Sequence, residues 1–296
     1  MDVKKVAVIG SGVMGQGIAQ TAAFSGFMVS LYDIDESMLG KALSNIKGNI
    51  EKHFVAKSKI SKEESDAIIG RIYTSTELKS TVCEADFVIE AVPENLELKK
   101  KTFAALDEIC PEHTILASNT SALPVTAIAG ATRRTDKCIG MHFFNPVPVM
   151  KLVEVVMPVG VSEATVNTAL DVCKHMGKVP IKVRDVPGFL VNRLLGLLYQ
   201  ESAQIVLEGT ATAEEIDIAM KLGAGHPMGP CELADFGGFD VIQMAQDGVF
   251  EYTHSEKDRL NILYRKMLEA GRLGRKNGKG FYDYLPDGTK KAFKIF

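Results

Sequence analysis

Two residues of this chain have the types and spacing of an acid–base pair. His142 closes the apolar run Cys138 to Phe143, and Glu154 follows twelve residues later inside Leu152-Val-Glu-Val-Val156. A carboxylate in such a run is costly to bury unless it is paired. If the Pro-containing connection reverses the chain, its midpoint is residue 148, and His142 and Glu154 lie opposite one another on one face of a sheet. A histidine oriented by a carboxylate is the arrangement that draws a proton from a hydroxyl. The competing reading of His142 is a hydrogen-bonded core histidine. Of the other histidines, His53, His113, His175 and His254 fall on helices or polar loops and read as solvated. His226, in Gly225-His-Pro-Met-Gly229, reads as structural or as lining a cleft.

A second cluster reads as a phosphate cradle. Gly10-Ser-Gly12-Val-Met-Gly15 follows the run Val6-Ala-Val-Ile9 and opens a helical stretch. Gly10 permits the tight turn, Gly12 lets backbone approach a pyrophosphate, and Gly15 lets helix and strand pack closely. The helix N-terminus offers N–H groups and positive dipole to the phosphates. Strand before and helix after are what make this glycine pattern specific. Asp33 ends the next strand, 18 residues after Gly15, where a carboxylate accepts hydrogen bonds from an adenosine ribose. Asp35 and Glu36 follow with no adjacent arginine, so a 2′-phosphate would meet negative charge and NAD is favoured over NADP. Taken alone, Asp33 also reads as a helix N-cap.

Holding these groups in place takes a sheet and its covering helices. Strand patterns fall at Val6 to Ile9, Met28 to Tyr32, Asp86 to Val92, Thr114 to Ala117, Cys138 to Phe143, Leu152 to Met157 and Val179 to Val183. Between them lie helical patterns at Met14 to Ser25, Glu36 to Lys57, Asn95 to Ile109 and Glu163 to Met176, and a short one capped by Ser61-x-x-Glu64. This rhythm predicts an α/β fold with a Rossmann-type, mostly parallel sheet, whose strand C-terminal ends face the ligand crevice. The pattern changes at Asp185-Val-Pro-Gly188. Beyond it, Phe189 to Leu207, a segment capped by Thr212-x-x-Glu215, Pro230 to Gln246 and Arg259 to Ala270 read as helices. No strand is convincing before the aromatic tail Phe281-Tyr-Asp-Tyr284. The expected division is residues 1–184, an α/β domain, and 185–296, an all-α C-terminal domain.

Composition agrees and excludes several classes. A chain of 296 residues suggests two domains, and 46% hydrophobic against 24% charged residues can bury full cores. A net charge of −3 carries no basic excess, so no nucleic-acid partner is expected. Five widely spaced cysteines with no C-x-x-C pair argue against a disulfide framework or a cysteine zinc site, and no metal is expected. Strand-like sequence from Lys4 leaves no room for a signal peptide. The most apolar stretch, Gly188 to Tyr199, is broken by Asn192 and Arg193 and is too short to span a bilayer, so no membrane partner is expected.

Taken together, the motifs resemble those of the L-3-hydroxyacyl-CoA dehydrogenase family, within it most closely the bacterial 3-hydroxybutyryl-CoA dehydrogenases. The markers span essentially the whole chain. They are Gly10-Ser-Gly-Val-Met-Gly15, Ala91-Val-Pro-Glu94, Ser118-Asn-Thr-Ser121, His142-Phe-Phe-Asn-Pro146 and Lys151-Leu-Val-Glu154. Pro187-Gly-Phe-Leu-Val-Asn-Arg193, Gly225-His-Pro-Met-Gly-Pro230 and Leu273-Gly-Arg-Lys-Asn-Gly-Lys-Gly-Phe-Tyr282 complete the set. The resemblance implies an NAD-dependent oxidoreductase acting on a (3S)-3-hydroxyacyl-CoA. It implies His142 as base, Glu154 as its orienting partner, Ser121 as a hydrogen-bond partner of the substrate's 3-oxygen, and Asn192 as a substrate-positioning residue. Val13, Met14, Ala91, Val92 and Asn145 join the glycines and Asp33 as cofactor contacts. Glu94 and Lys99 match residues around the nicotinamide ribose, and Asn119 one near the ring. Lys52 and Lys57, in the Lys47 to Lys59 series, are candidates for the CoA phosphates. The resemblance also implies a homodimer built through the C-terminal, substrate-closing domain, and a bacterial cytoplasmic location rather than a mitochondrial matrix.

Other readings stand beside these. Ser121 could be a helix N-cap, Asn192 a helix–helix hydrogen bond, and the lysines a solvated face. A related 3-hydroxyacid dehydrogenase class places a lysine four residues before the asparagine, where this chain has Gly188. A non-catalytic, NADH-binding structural protein would have little reason to keep His142, Glu154, Ser121 and Asn192 together. The chain departs from the family pattern at Gly238, at Cys231 and over Glu251 to Asn261, all in the helical half.

Overall fold

The computed structural model describes residues 2–287 and 289–294, in two compact units that meet between Phe189 and Leu190. The first unit runs β1 (Lys5–Ile9), α1 (Val13–Phe24), β2 (Met28–Tyr32), α2 (Glu36–Ile50), α3 (Lys62–Ile69), β3 (Ile72–Ser75), α4 (Leu78–Val82) and β4 (Phe87–Glu90). It continues with α5 (Leu96–Ile109), β5 (Ile115–Ser118), α6 (Val125–Ala129), β6 (Cys138–Phe143), β7 (Leu152–Met157), α7 (Glu163–His175) and β8 (Val179–Arg184). The strands form one eight-stranded sheet in the order β3-β2-β1-β4-β5-β6-β7-β8. All neighbours are parallel except β6 and β7. The order turns back on itself between β1 and β4, the crevice where such sheets bind ligands.

Local sequence explains these elements. Central parallel strands are covered on both faces, so β1, β4 and β5 read as unbroken apolar runs rather than alternating ones. Helix α2 buries Leu39, Ala42, Ile46 and Ile50, one stripe at helical spacing, and exposes its lysines. The helix expected to reach Lys57 ends as regular α-helix at Ile50 and continues as a wider π-turn over Glu51–Val55. Both expected capping boxes form, Ser61 with Glu64 and Thr212 with Glu215.

Residues 185–189, which the sequence pattern assigns to the second half, are tied to the first unit. The Asp185 carboxylate accepts from the N–H groups of Val125 (3.1 Å) and Thr126 (2.6 Å) at the start of α6. Phe189 packs with Val125, Val156 and Val183.

The second unit is helical: α8 (Val191–Glu208), α9 (Ala213–Gly223), α10 (Pro230–Gly237), α11 (Phe239–Thr253) and α12 (Ile262–Glu269). It also carries a short antiparallel ribbon, β9 (Tyr282–Tyr284) with β10 (Lys290–Ala292), in the region of the aromatic tail. The single helix expected from Pro230 to Gln246 is two, because Gly238 at φ +89° breaks it. The buried Asp235 carboxylate fastens the ribbon, accepting from Phe281 N–H (2.7 Å), Tyr282 N–H (3.0 Å) and the Tyr284 hydroxyl (3.0 Å). Burial still outweighs these bonds and pushes that carboxyl up to about 6.

Among the described residues no helix is long and apolar enough to cross a membrane. Cys110, Cys138, Cys173 and Cys231 are buried free thiols, and Cys83 is exposed.

Candidate active site

The antiparallel step in the sheet sets the geometry expected for the acid–base pair. Strands β6 and β7 pair in a register that places His142 directly across from Glu154. Residues opposite in such a ladder project to the same face. His142 Nδ1 lies 2.7 Å from Glu154 Oε2, with His142 4% exposed and Glu154 fully buried. An ionised carboxylate can only accept, so in a bond to it Nδ1 is the donor. The rings of Phe144 (4.5 Å) and Phe189 (5.7 Å) flank the imidazole and keep water from it.

The end of β6 is fixed from the neighbouring loop. Asn119 Oδ1 accepts from the N–H of Phe143 at 3.0 Å, and Asn119 N–H donates to the Glu90 carbonyl at 2.7 Å. Asn119 thus joins the strand carrying His142 to the ends of β4 and β5.

Behind that loop lies a buried ion pair. Lys99 Nζ is 2.7 Å from Glu90 Oε1, and both side chains are wholly inaccessible to water. The same ammonium reaches the carbonyl of Val92 (3.2 Å) and that of Asn119 (3.5 Å). The Ser118 hydroxyl donates to Glu90 Oε2 and the Val92 N–H to Oε1, each at 2.7 Å. Burial pushes the Glu90 carboxyl above the usual carboxylate range, against the pull of Lys99 and these donors. Lys99 therefore acts from inside, on the segments that carry the site, rather than from an accessible surface. Glu94 lies nearer the surface. Its Oε1 accepts from the Thr120 hydroxyl (2.6 Å), Ser121 N–H (2.8 Å) and Ala122 N–H (3.2 Å), and its Oε2 is 3.5 Å from Lys99 Nζ. Ser121 is exposed on this loop and is not a helix cap, since α6 starts at Val125 with Pro124 as its N-cap.

The glycine loop fits a dinucleotide. Gly10 has φ +100°, and a Cβ there would stand 2.7 Å from the Ala91 carbonyl oxygen. A Cβ on Gly15 would lie 1.7 Å from the Gly10 oxygen. Around Gly12, by contrast, a Cβ would meet nothing within 4 Å, which leaves the open space a phosphate needs. Helix α1 begins there without a side-chain cap, so its first N–H groups face an anion site; Val13 is exposed and Met14 half-buried. Asp33 Oδ2 accepts from both the N–H (2.8 Å) and the hydroxyl (2.7 Å) of Ser11, which aims the carboxylate along the cradle. The helix-cap reading of Asp33 does not hold, because Asp35 caps α2. Ala91 and Val92 follow β4, with Ala91 beside Gly10 and its N–H bonded to the Ile9 carbonyl at 2.7 Å.

The structure thus gathers His142, Glu154 and Asn119 around β6, and Glu94, Lys99 and Ser121 around the β5 loop. Asn145 is exposed in the β6–β7 connection. Lys52 and Lys57 are exposed beyond α2. Asn192 is half-buried in the first turn of α8, in the second unit. Among the described residues no His, Cys, Asp and Glu side chains converge as a metal site requires. Sequence reasoning passed over Glu90, Ser11 and Thr120. Glu90 carries the same signal as Glu154, a carboxylate in an apolar run, with its partner Lys99 nine residues on.

Both halves of the chain match models of one family. Residues 5–186 match the 3-hydroxyacyl-CoA dehydrogenase NAD binding domain, and residues 188–284 the C-terminal domain. The chain is 45% identical over 284 residues to the probable 3-hydroxybutyryl-CoA dehydrogenase of Bacillus subtilis, covering 96% of this chain and 98% of that one. It is 44% identical over 291 residues to the human mitochondrial hydroxyacyl-coenzyme A dehydrogenase, covering 95% and 91%. Among solved structures, the (S)-3-hydroxybutyryl-CoA dehydrogenase of Ralstonia eutropha superposes with a TM-score of 0.92 at 39% identity, over 96% of this chain and all of that one.

The buried pair makes a stability prediction. Lys99→Met alone strands the Glu90 charge and is expected to cost about 3–5 kcal/mol of unfolding free energy. Adding Glu90→Gln should recover part of that loss, since the second change removes the stranded charge. Urea titration of the two single variants and the double variant reads the cycle, and strictly additive losses would contradict the pairing.

Proposed function

The chain belongs to the 3-hydroxyacyl-CoA dehydrogenase family, and from that premise we propose that His142 and Glu154 form the general base with which it oxidises (3S)-3-hydroxybutyryl-CoA to acetoacetyl-CoA. It is an NAD-dependent 3-hydroxyacyl-CoA dehydrogenase. When bound, NAD supplies the acceptor or donor of the C3 hydride. The glycine loop and the first turn of α1 hold its pyrophosphate, and Asp33 its adenosine ribose. Glu94 and Asn119 serve the nicotinamide end, with Val13, Met14, Ala91, Val92 and Asn145 along the same path, and Lys99 acts from behind. His142 Nε2 takes the hydroxyl proton as the C3–H bond is given up. In the reverse direction the imidazolium returns that proton to the forming alkoxide. Glu154 holds the ring through Nδ1–H and stabilises its charge in the transition state. Ser121 and Asn192 orient the substrate, and Lys52 and Lys57 meet the CoA phosphates.

The observation that carries the reading is the 2.7 Å bond between two side chains almost excluded from water. The Phe144 and Phe189 rings flank the imidazole, so this pair lies in an apolar surround. The same reading includes a cytoplasmic location and a homodimer through the helical second unit. Exposed Leu194, Leu197, Leu222, Phe236 and Met244 on that unit support the dimer, which sedimentation of the full chain would register as twice the chain mass.

The test is NADH oxidation with acetoacetyl-CoA. General-base catalysis contributes about 10²–10⁴ in rate, so His142→Gln should lose about that much kcat while NADH binding stays within about twofold. Undiminished turnover in that variant would remove His142 from the mechanism. Turnover of free acetoacetate as fast as of its CoA ester would overturn the substrate class.

A further inference from the structure

The connection that brings His142 and Glu154 into register is eight residues long, 144–151, and contains no helix or strand, only a turn. Two of its bonds are internal, the N–H groups of Val149 (3.0 Å) and Met150 (2.9 Å) to the Pro146 carbonyl. Strand pairing has a side-chain period of two, so a one-residue slip across such a loop would turn Glu154 to the other face. Contacts from outside the loop add to these bonds and to the β6–β7 ladder.

Lys178 supplies such contacts. It stands between α7 and β8, its side chain buried to 7% exposure, and its ammonium donates to the carbonyls of Val147 and, at 2.8 Å, of Met150. Among the described residues its ammonium bonds carbonyls and no carboxylate, and burial holds its pKa below the ordinary lysine value. A buried cation bonded only to carbonyls is a costly group to keep for packing alone. On its other side the loop rests on the cofactor helix: a Cβ on Gly17 of α1 would come within 3.0 Å of Val147 Cβ and 3.2 Å of its Cγ2. Val147 itself is buried in the core. The loop is therefore wedged between one ammonium and one bare stretch of α1.

We propose that Lys178 is a positioning residue for hydride transfer, pinning the β6–β7 connection against Gly17 so that the His142–Glu154 pair is held at a fixed distance from the cofactor helix. This rests on the functional reading above, and it adds a residue that never touches substrate or cofactor. A displacement on the order of 1 Å at a reacting group costs up to about 10²-fold in rate.

Lys178→Met keeps the stem and removes the donors. The full chain carrying it is expected to lose about 10- to 100-fold in kcat for acetoacetyl-CoA reduction, with the KM for NADH within about twofold. The primary isotope effect with NADH deuterated at the transferred position should rise, because a misaligned hydride step becomes rate-limiting; a general loss of stability would leave it unmoved. Gly17→Ala presses the same loop from the other side and should produce the same split in a helix whose propensity has improved. Lys178→Arg, which restores donors, should recover part of the rate. Amide exchange over residues 142–156, faster in both variants and unchanged over β1, reads the displacement without turnover. An active wild type whose Lys178→Met and Gly17→Ala variants keep its kcat, isotope effect and exchange would overturn this proposal; an inactive wild type with the exchange difference intact would fault only the functional reading.

Discussion

The bond between His142 Nδ1 and Glu154 Oε2 exists because β7 runs against β6 in an otherwise parallel neighbourhood. Parallel strands need a crossover of a dozen or more residues, and their partners come from distant sequence. An antiparallel return allows two residues twelve apart to face each other directly, inside the sheet, with β8 still paired beyond β7. Much of the first unit can be understood as holding that step still. Asn119 fastens the end of β6, Lys178 fastens the return, and Phe144 and Phe189 close over the ring.

The fixing groups are polar and buried, which costs free energy unless every donor and acceptor is used. Glu90 and Lys99 meet that condition through Ser118, Val92 and Asn119, linking β4, β5 and α5 at the floor of the crevice. Such a network is worth little as net stability compared with apolar packing, but it permits one arrangement of loops where apolar contacts would permit several. A hydride step needs that uniqueness, because donor, acceptor and base must be aligned together.

The parts of this account that were legible in the sequence are those with a short-range cause. The glycine loop follows from steric demands at Gly10 and Gly15, the His142–Glu154 register from a midpoint at residue 148, and both capping boxes from four-residue patterns. Strand β3 is illegible because Ile72–Ser75 is short and only half-buried at the sheet edge, without the apolar run of its neighbours. The helix break at Gly238 is not legible because a glycine within a helical pattern does not announce a positive φ. Lys178 and Glu90 were illegible as positioning groups, since their partners are carbonyls and side chains brought near by the fold. Asp185 stands before the Pro-Gly step where the pattern changes, yet its carboxylate bonds the first two N–H groups of α6, some sixty residues away.

The central claim is that Glu154 makes His142 a base. The measurement that tests it most directly is the kcat of Glu154→Gln for acetoacetyl-CoA reduction, with NADH affinity taken on the same preparation. The amide keeps the size of the carboxylate but cannot stabilise the imidazolium, and it can donate to Nδ1 and so invert the tautomer. The expected result is a fall of about 10²–10⁴ in kcat with NADH affinity unchanged. A variant that turns over at the wild-type rate would contradict it.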